Sequence, residues 1–399
     1  MTPDAAVGLR FAASLSTAAE TDDAIAETCS QAGDQLAGRP DLAVVFFSPH
    51  HSAQAERVAA EIRRRLSPGC LLGCSGESIV GGDREIENEP AFSLWLAALP
   101  GVTVHPLHLE FERSAEGGAI SGWPDALSAE WPAGSSLLLL GDPFSFPADW
   151  LLERLNDDRP GVPVLGGMAS GAASPGRNRL LLDDRVFDAG AVGALVHGGV
   201  EIEPVVSQGC RPIGRHYVVT KAEQNIILQL SGKPPLAQLQ ELFDTLPPRD
   251  QQLAQSGLHV GRVINEYQDH FERGDFLVRN CVGADRNTGA LAIGDFIRAG
   301  QTVQFHVRDA QTADEDLHAL VGRAGGRAPA EAALLFTCNG RGTRLFDQPH
   351  HDAGVLREQL GPIPVAGFFA QGEMGPIGGK NFLHGFTASC ALFRPRPSS

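Results

Sequence analysis

No apolar run in this chain approaches the roughly 18 to 20 residues that a helix needs to cross a bilayer, which excludes a helical membrane span. The amino terminus, MTPDAAVGLRFAAS, carries an acid at Asp4 and lacks the basic segment and apolar core of a secretory signal. Basic residues are scarce: 32 Lys+Arg stand against 48 Asp+Glu, a formal charge of −16. A uniformly acidic surface repels phosphate backbones, so no nucleic-acid partner is expected. Seven cysteines, an odd number over 399 residues, fit reduced thiols rather than a disulfide framework. Cys70 and Cys74 form a C-x3-C pair, but the intervening LLG reads as strand, which holds them about 13 Å apart at ~3.3 Å per residue. That spacing does not clamp one metal. No C-x-x-C-H motif for covalent haem is present, and no two histidines share a helix face beside an acid, so no metal centre is expected. The GGMASG loop at 166–171 matches neither G-x-G-x-x-G nor the Lys-bearing phosphate loop, and no helix follows it, which excludes a nucleotide site. These absences predict a soluble, cytoplasmic protein.

What remains is the composition of an ordinary globular protein, 43% hydrophobic and 20% charged, with a length that predicts two or three domains. After a short strand at 10–16 and a helix at 20–37, one recipe recurs three times: strand, polar turn, helix, Pro/Gly turn, strand ending in glycine-rich polar residues, returning strand. The first copy runs from DLAVVFFSP (41–49) through a helix at 52–66 to CLLGCSGESIVGG (70–82) and FSLWLAAL (92–99). Ser52 is the expected cap of its helix, and Ala55, Val58, Ala59, Ile62 and Leu66 form its buried face. The second runs from SLLLLGDP (136–143) to VLGGMASGAASPG (164–176) and VGALVHGG (192–199). The third runs from ALLFTCNG (333–340) to PVAGFFAQGEMG (364–375) and FTASCALF (386–393). From first strand to key glycine (Gly73, Gly166, Gly367) takes about 30 residues each time, the length of a strand–helix–strand unit. Two readings are open: a true repeat, or the breakers that every such unit needs. Between copies two and three, LSGKPP at 230–235 marks a junction, and four strand-like runs within 258–309 predict an antiparallel sheet. The expected fold is α/β (α+β): mixed sheets flanked by helices, in two related domains, 1–231 and 232–399.

The densest chemistry lies in Pro364–Cys390, where a glycine-rich backbone carries Glu373 and His384. Upstream, a buried-type strand ends in Cys338, Asn339, Arg341 and Arg344. Ligands of open α/β sheets gather beyond the carboxyl ends of strands. An arginine offers a two-pronged donor to a carboxylate and Glu373 an acceptor to an ammonium, which together match a zwitterionic amino acid. The plain alternative is an Arg–Glu ion pair joining two loops. Ser75 and Glu77 occupy, across a two-residue gap, the place of Gln371 and Glu373, which extends the expected site to the first copy. Cys338, His384 and Glu373 also form the side-chain set of a thiol hydrolase. His50–His51 and His350–His351 read as solvated pairs, and His197, His306 and His384 as core histidines. Arg279 and Cys281 share a strand face, with the arginine expected in solvent.

The runs GCSGESIVGG (73–82), CNGRG (338–342), GFFAQGEMGPI (367–377) and LHGFTAS (383–389) resemble the FIST family over nearly the whole chain, with an amino-terminal FIST domain at about 30–230 and a carboxy-terminal one at about 235–385. The resemblance implies a bacterial sensory protein that binds a small ligand, amino acids being the usual suggestion, rather than an enzyme. It implies as a second reading non-covalent haem and nitric oxide sensing. No output module is evident, so the expected partners are a small-molecule ligand and a separate signalling protein.

Overall fold

A computed structural model describes residues 8–114, 117–127, 130–268 and 270–396. The first stretch holds β1 (Arg10–Ser16), α1 (Thr21–Leu36), β2 (Leu42–Phe47), α2 (Ala55–Leu66), β3 (Cys70–Ser75), β4 (Ile79–Gly81), β5 (Arg84–Ile86) and β6 (Phe92–Ala98). The second holds β7 (Val102–Ser114), β8 (Gly117–Ser121), β9 (Ser136–Gly141), α3 (Ala148–Asp158), β10 (Val164–Met168), β11 (Leu180–Leu182), β12 (Arg185–Phe187), β13 (Ala191–Gly198) and β14 (Val200–Gln208). Next come β15 (Cys210–Glu223), β16 (Ile226–Leu230), α4 (Pro235–Phe243), α5 (Pro248–Ser256), β17 (Leu258–Val263), β18 (Phe276–Asp285), β19 (Ala290–Ile293) and β20 (Thr302–Arg308). The chain ends with α6 (Ala310–Gly325), β21 (Ala332–Cys338), α7 (His351–Leu360), β22 (Val365–Ala370), β23 (Glu373–Ile377), β24 (Lys380–His384) and β25 (Thr387–Pro395). Mixed sheets with flanking helices make this an α+β fold, as the sequence predicts. Ser52 does not cap α2: a tight 3-10 turn over Pro49–Gln54 leads into the helix, and its N-cap Gln54 makes no side-chain bond.

Packing divides the chain into two compact units, Gln208–Asp316 and the remainder, Met1–Ser207 with Leu317–Ser399. The smaller unit is a closed barrel in the order β15-β16-β19-β18-β17-β20. Its last four strands are the runs read from the sequence within 258–309. They close because β15 and β16, which precede residue 232, complete their sheet, so that position lies inside the barrel.

The larger unit carries the repeat. Each copy contributes a parallel pair, β2 with β3, β9 with β10 and β21 with β22, followed by a hairpin and a returning antiparallel strand. The hairpins are exchanged in a ring: β4–β5 pairs with β22, β23–β24 with β10, and β11–β12 with β3. Alternation along the strands separates a central core from three outer ones. Phe46, Leu140 and Phe336 enter the core common to all three sheets, while Phe47, Leu139 and Leu335 pack in separate clusters with helix residues Val58, Leu151 and Leu356. The key glycines are equivalent by register. Gly73, Gly166 and Gly367 face Val45, Leu139 and Leu335, the fourth residue of each first strand. A Cβ at Gly166 or Gly367 would sit 1.8 Å from that neighbour's carbonyl oxygen, and at Gly73 2.4 Å, so these close approaches require glycine.

Candidate functional site

The loop after β21 turns inward at Arg341, whose side chain is fully buried although it carries a permanent charge. Its guanidinium lies over the Phe346 ring at 5.2 Å, and that ring stacks on His351 at 3.4 Å. Arg341 Nε and Nη2 each donate to Asp352 at 2.7 Å, Thr337 Oγ1 donates to the same carboxylate at 2.5 Å, and His351 Nδ1 lies 2.8 Å from it. Burial opposes ionisation of Asp352, but the Arg341 charge and the bonds from Arg341 and His351 outweigh it and hold the carboxyl well below its ordinary range.

Two further carboxyls surround this pair. Glu85, from the exchanged hairpin β4–β5, accepts the Ala353 amide in the first turn of α7 at 2.9 Å. Burial, then the Asp352 charge, push its pKa upward against the pull of the Ala353 amide and Arg341. Glu373 is 0% exposed and takes Thr387 Oγ1 at 2.8 Å and Thr387 N–H at 3.2 Å on Oε2. Burial lifts its pKa to about 8, against those two bonds and the Arg341 charge. A buried carboxyl without a counter-charge of its own favours the neutral acid over the anionic half of an ion pair. Arg341 Nη1, Glu85 Oε2, Glu373 Oε1 and Asn339 Oδ1 are all buried with no hydrogen-bond partner of ordinary geometry within the protein. The Gly372 amide pulls weakly on the Glu373 carboxyl, without such a bond to Oε1. Orphaned buried polar atoms are rare in native proteins, and here one on the cation itself is accompanied by three on other residues of the cluster.

Against this geometry the sequence reading is corrected at several residues. The Nε–Nη2 edge of Arg341 is taken by Asp352, which leaves its Nη1 amino group, without a partner, for a ligand. The ion pair across the loops does exist, but it joins Arg344 to Glu77, and Arg344 also holds the Asn339 carbonyl at 2.7 Å. Ser75 is a tie between loops: its carbonyl accepts Ser170 and Gly171 amides at 3.2 Å, and its hydroxyl accepts the Arg179 amide at 3.0 Å. Cys338 is half-buried at the end of β21, its sulfur accepting the Gly340 amide at 3.5 Å. His384 stands opposite Glu373 in the β23–β24 register, with Nε2 bonded to the Gly375 carbonyl at 2.9 Å. His197 and His306 are also partnered, by His105 at 3.3 Å and the Gln304 carbonyl at 3.0 Å. Of the two pairs read as solvated, His50 is exposed as expected, but His51 is fully buried against Thr21, and His351 belongs to the Asp352 network. Arg279 pairs with Asp295 at 3.3 Å instead of reaching solvent.

The residues that sequence reasoning missed are Glu85 and Asp352. DREIENE at 83–89 resembles an exposed acidic loop, and only the hairpin exchange buries one of its carboxyls. Register also corrects the match between Glu77 and Glu373. Gly367, Gly166 and Gly73 face Val80, Met374 and Leu181 of the received hairpins, which makes Ile79, Glu373 and Leu180 equivalent. Across each hairpin these positions pair with Ile86, His384 and Phe187. Two copies thus present Ile79–Ile86 and Leu180–Phe187 to the central core, and the third presents Glu373–His384 at the same place. An open groove lined by Cys29, Arg39 and Arg65 lies elsewhere, beside the amino ends of β2 and β3, and its thiol is pushed to about 12 by burial.

Comparison with known proteins places these features in a family. The FIST N domain model matches residues 41–233 and the FIST C domain model residues 236–376. The chain belongs to the FIST family. FIST domains are associated with signal transduction and the sensing of small ligands. This FIST chain is 45% identical over 388 residues to an uncharacterised protein of Mycobacterium tuberculosis strain H37Rv, covering 96% of this chain and all of that one. It is 44% identical, again over 96% of its length, to an uncharacterised protein of Mycobacterium bovis, 99% of which is covered. The FIST N segment supplies Glu85 and the FIST C segment supplies Arg341, Asp352 and Glu373, so the buried cluster draws on both matched regions. No helix among the described residues is long and apolar enough to cross a membrane.

Proposed function

We propose that this FIST protein is a cytoplasmic sensor of a small polar ligand, an amino acid, rather than an enzyme, and that its signal passes to a separate protein. The ligand lies at Glu373 and His384, with Asn339, Arg341 and Cys338 beside it and Ser75 and Glu77 holding the rim loops. The observation that carries this reading is the threefold comparison. The fold is satisfied by Ile79–Ile86 and Leu180–Phe187 at the equivalent positions, so it has no architectural need for an acid and an imidazole there. Burying them desolvates two polar groups that apolar residues replace elsewhere, which is the mark of a residue kept for something other than stability. The unpartnered atoms add chemistry: Arg341 Nη1 is a donor, Asn339 Oδ1 is an acceptor, and the Glu85 and Glu373 oxygens become acceptors once their carboxyls give up the proton. An ammonium with three N–H groups and a carboxylate accepting one bond complement that set.

The test is a thermal-shift screen of the proteinogenic L-amino acids on the full chain and on the Glu373→Leu variant. At least one amino acid is expected to raise the melting temperature of the parent and to leave the variant unmoved. A shift of equal size in both proteins would remove Glu373 from the site.

A further inference from the structure

Resting on that reading, we infer that Glu373 is the seat of the ligand's ammonium group, and that binding ejects the carboxyl proton to solvent. The site starts as a neutral Glu373 carboxylic acid, takes up a cationic primary ammonium, and ends as a Glu373 carboxylate paired with that ammonium, with one proton set free in solvent. Charge and atoms balance whatever the ligand's net charge: the O–H bond of Glu373 breaks, its electron pair stays as the carboxylate charge that faces the ammonium, and the proton carries the equal positive charge to solvent. The argument begins with what surrounds the carboxyl. Glu373 lies on β23 between β10, whose facing Gly167 has no side chain, and β24, whose facing residue is His384. From β25 it receives only the neutral donors of Thr387, and from the loop after β21 the more distant charge of Arg341. That charge is already matched by Asp352 through two bonds of 2.7 Å.

An ionised Glu373 would thus be a second carboxylate around a single, already committed guanidinium, in a fully buried place. A buried charge without its own partner is not tolerated, and the group neutralises instead. The ligand-free protein therefore keeps the proton, and the raised pKa of the carboxyl agrees. A neutral ligand leaves that proton in place. A primary ammonium brings the missing counter-charge to the unpartnered Oε1, and the pair no longer needs it. Ligand class and proton release are then one event, and a compound with a carboxylate but no amine does not trigger it.

Isothermal titration calorimetry in two buffers of different ionisation enthalpy counts the proton. The probes are the amino acid selected by the thermal-shift screen, the corresponding amine lacking its carboxylate, and the acid lacking its amine. Close to one proton released per amino acid or amine bound is expected near pH 6.5, with affinity rising about tenfold per pH unit and levelling above pH 8. Glu373→Gln, which keeps the shape and the neutral state, is expected to fold as the parent does and to lose both the proton and the pH dependence. Binding of the amino acid with no proton released overturns the inference and leaves the ligand reading standing. Failure of every amino acid to bind overturns both.

Discussion

At the residue scale the buried cluster is a contest between desolvation and pairing. Asp352 wins its charge from Arg341 and His351, whereas Glu85 and Glu373 do not win theirs. The signs give a pH profile. A carboxyl whose folded pKa is raised contributes stability that is complete below its ordinary value near 4.5 and is lost as pH rises toward about 8. Asp352, depressed in the folded state, contributes stability above its ordinary range that is lost in acid. Melting temperature measured from pH 4 to 9 is therefore expected to be highest at about pH 4 to 5, to decline through neutrality and to level off above about pH 8. Glu373→Gln is expected to flatten this decline, and an unchanged decline would show that this carboxyl does not titrate there. Arg341, Glu373 and His384 were legible in the sequence as polar residues in glycine-rich loops after strands. Their partners were not, because Asp352 sits in a helix start that reads as solvated, and the Glu373 charge state depends on burial that composition does not reveal.

At the element scale the repeat was visible as three runs of strand, helix and glycine loop, and the three key glycines do occupy one register position. What stayed hidden was where each hairpin goes. Short strands such as β4 and β11 carry three residues each, too few to declare a partner, and the exchange pairs them with strands far away in sequence. The crowding at the key glycine gives a direct check. Gly367→Ala places a Cβ 1.8 Å from the Leu335 carbonyl and must part β21 from β22, so chemical denaturation is expected to show a loss above about 4 kcal/mol. Gly354→Ala, in α7 with no atom within 4 Å of the new Cβ, is expected to be neutral or to stabilise by up to about 1 kcal/mol. Equal effects at the two sites would contradict the register.

At the scale of the whole molecule, the exchange makes the matched FIST N and FIST C regions interdependent. A fragment of residues 1–231 lacks β23–β24 to complete the sheet at β10, and its own β4–β5 hairpin lacks β22. A fragment of residues 232–399 lacks β15 and β16 of the barrel and the hairpin that supplies Glu85. Neither is expected to give cooperative unfolding by circular dichroism alone, while co-expression restores it; two independently folding halves would contradict the exchange. A sequence reading by halves misses this because it follows chain order, whereas the barrel and the ring of hairpins are closed by segments from both sides of residue 232. The central claim is that the third hairpin departs from its two counterparts for the sake of a ligand. The most direct measurement is the melting temperature, without and with the screened amino acid, of Glu373→Leu combined with His384→Phe, the pair that the second copy carries as Leu180 and Phe187. The account predicts an unliganded melting temperature at or above that of the parent and no shift on adding the amino acid; a variant that melts well below the parent, or that still responds, would contradict it.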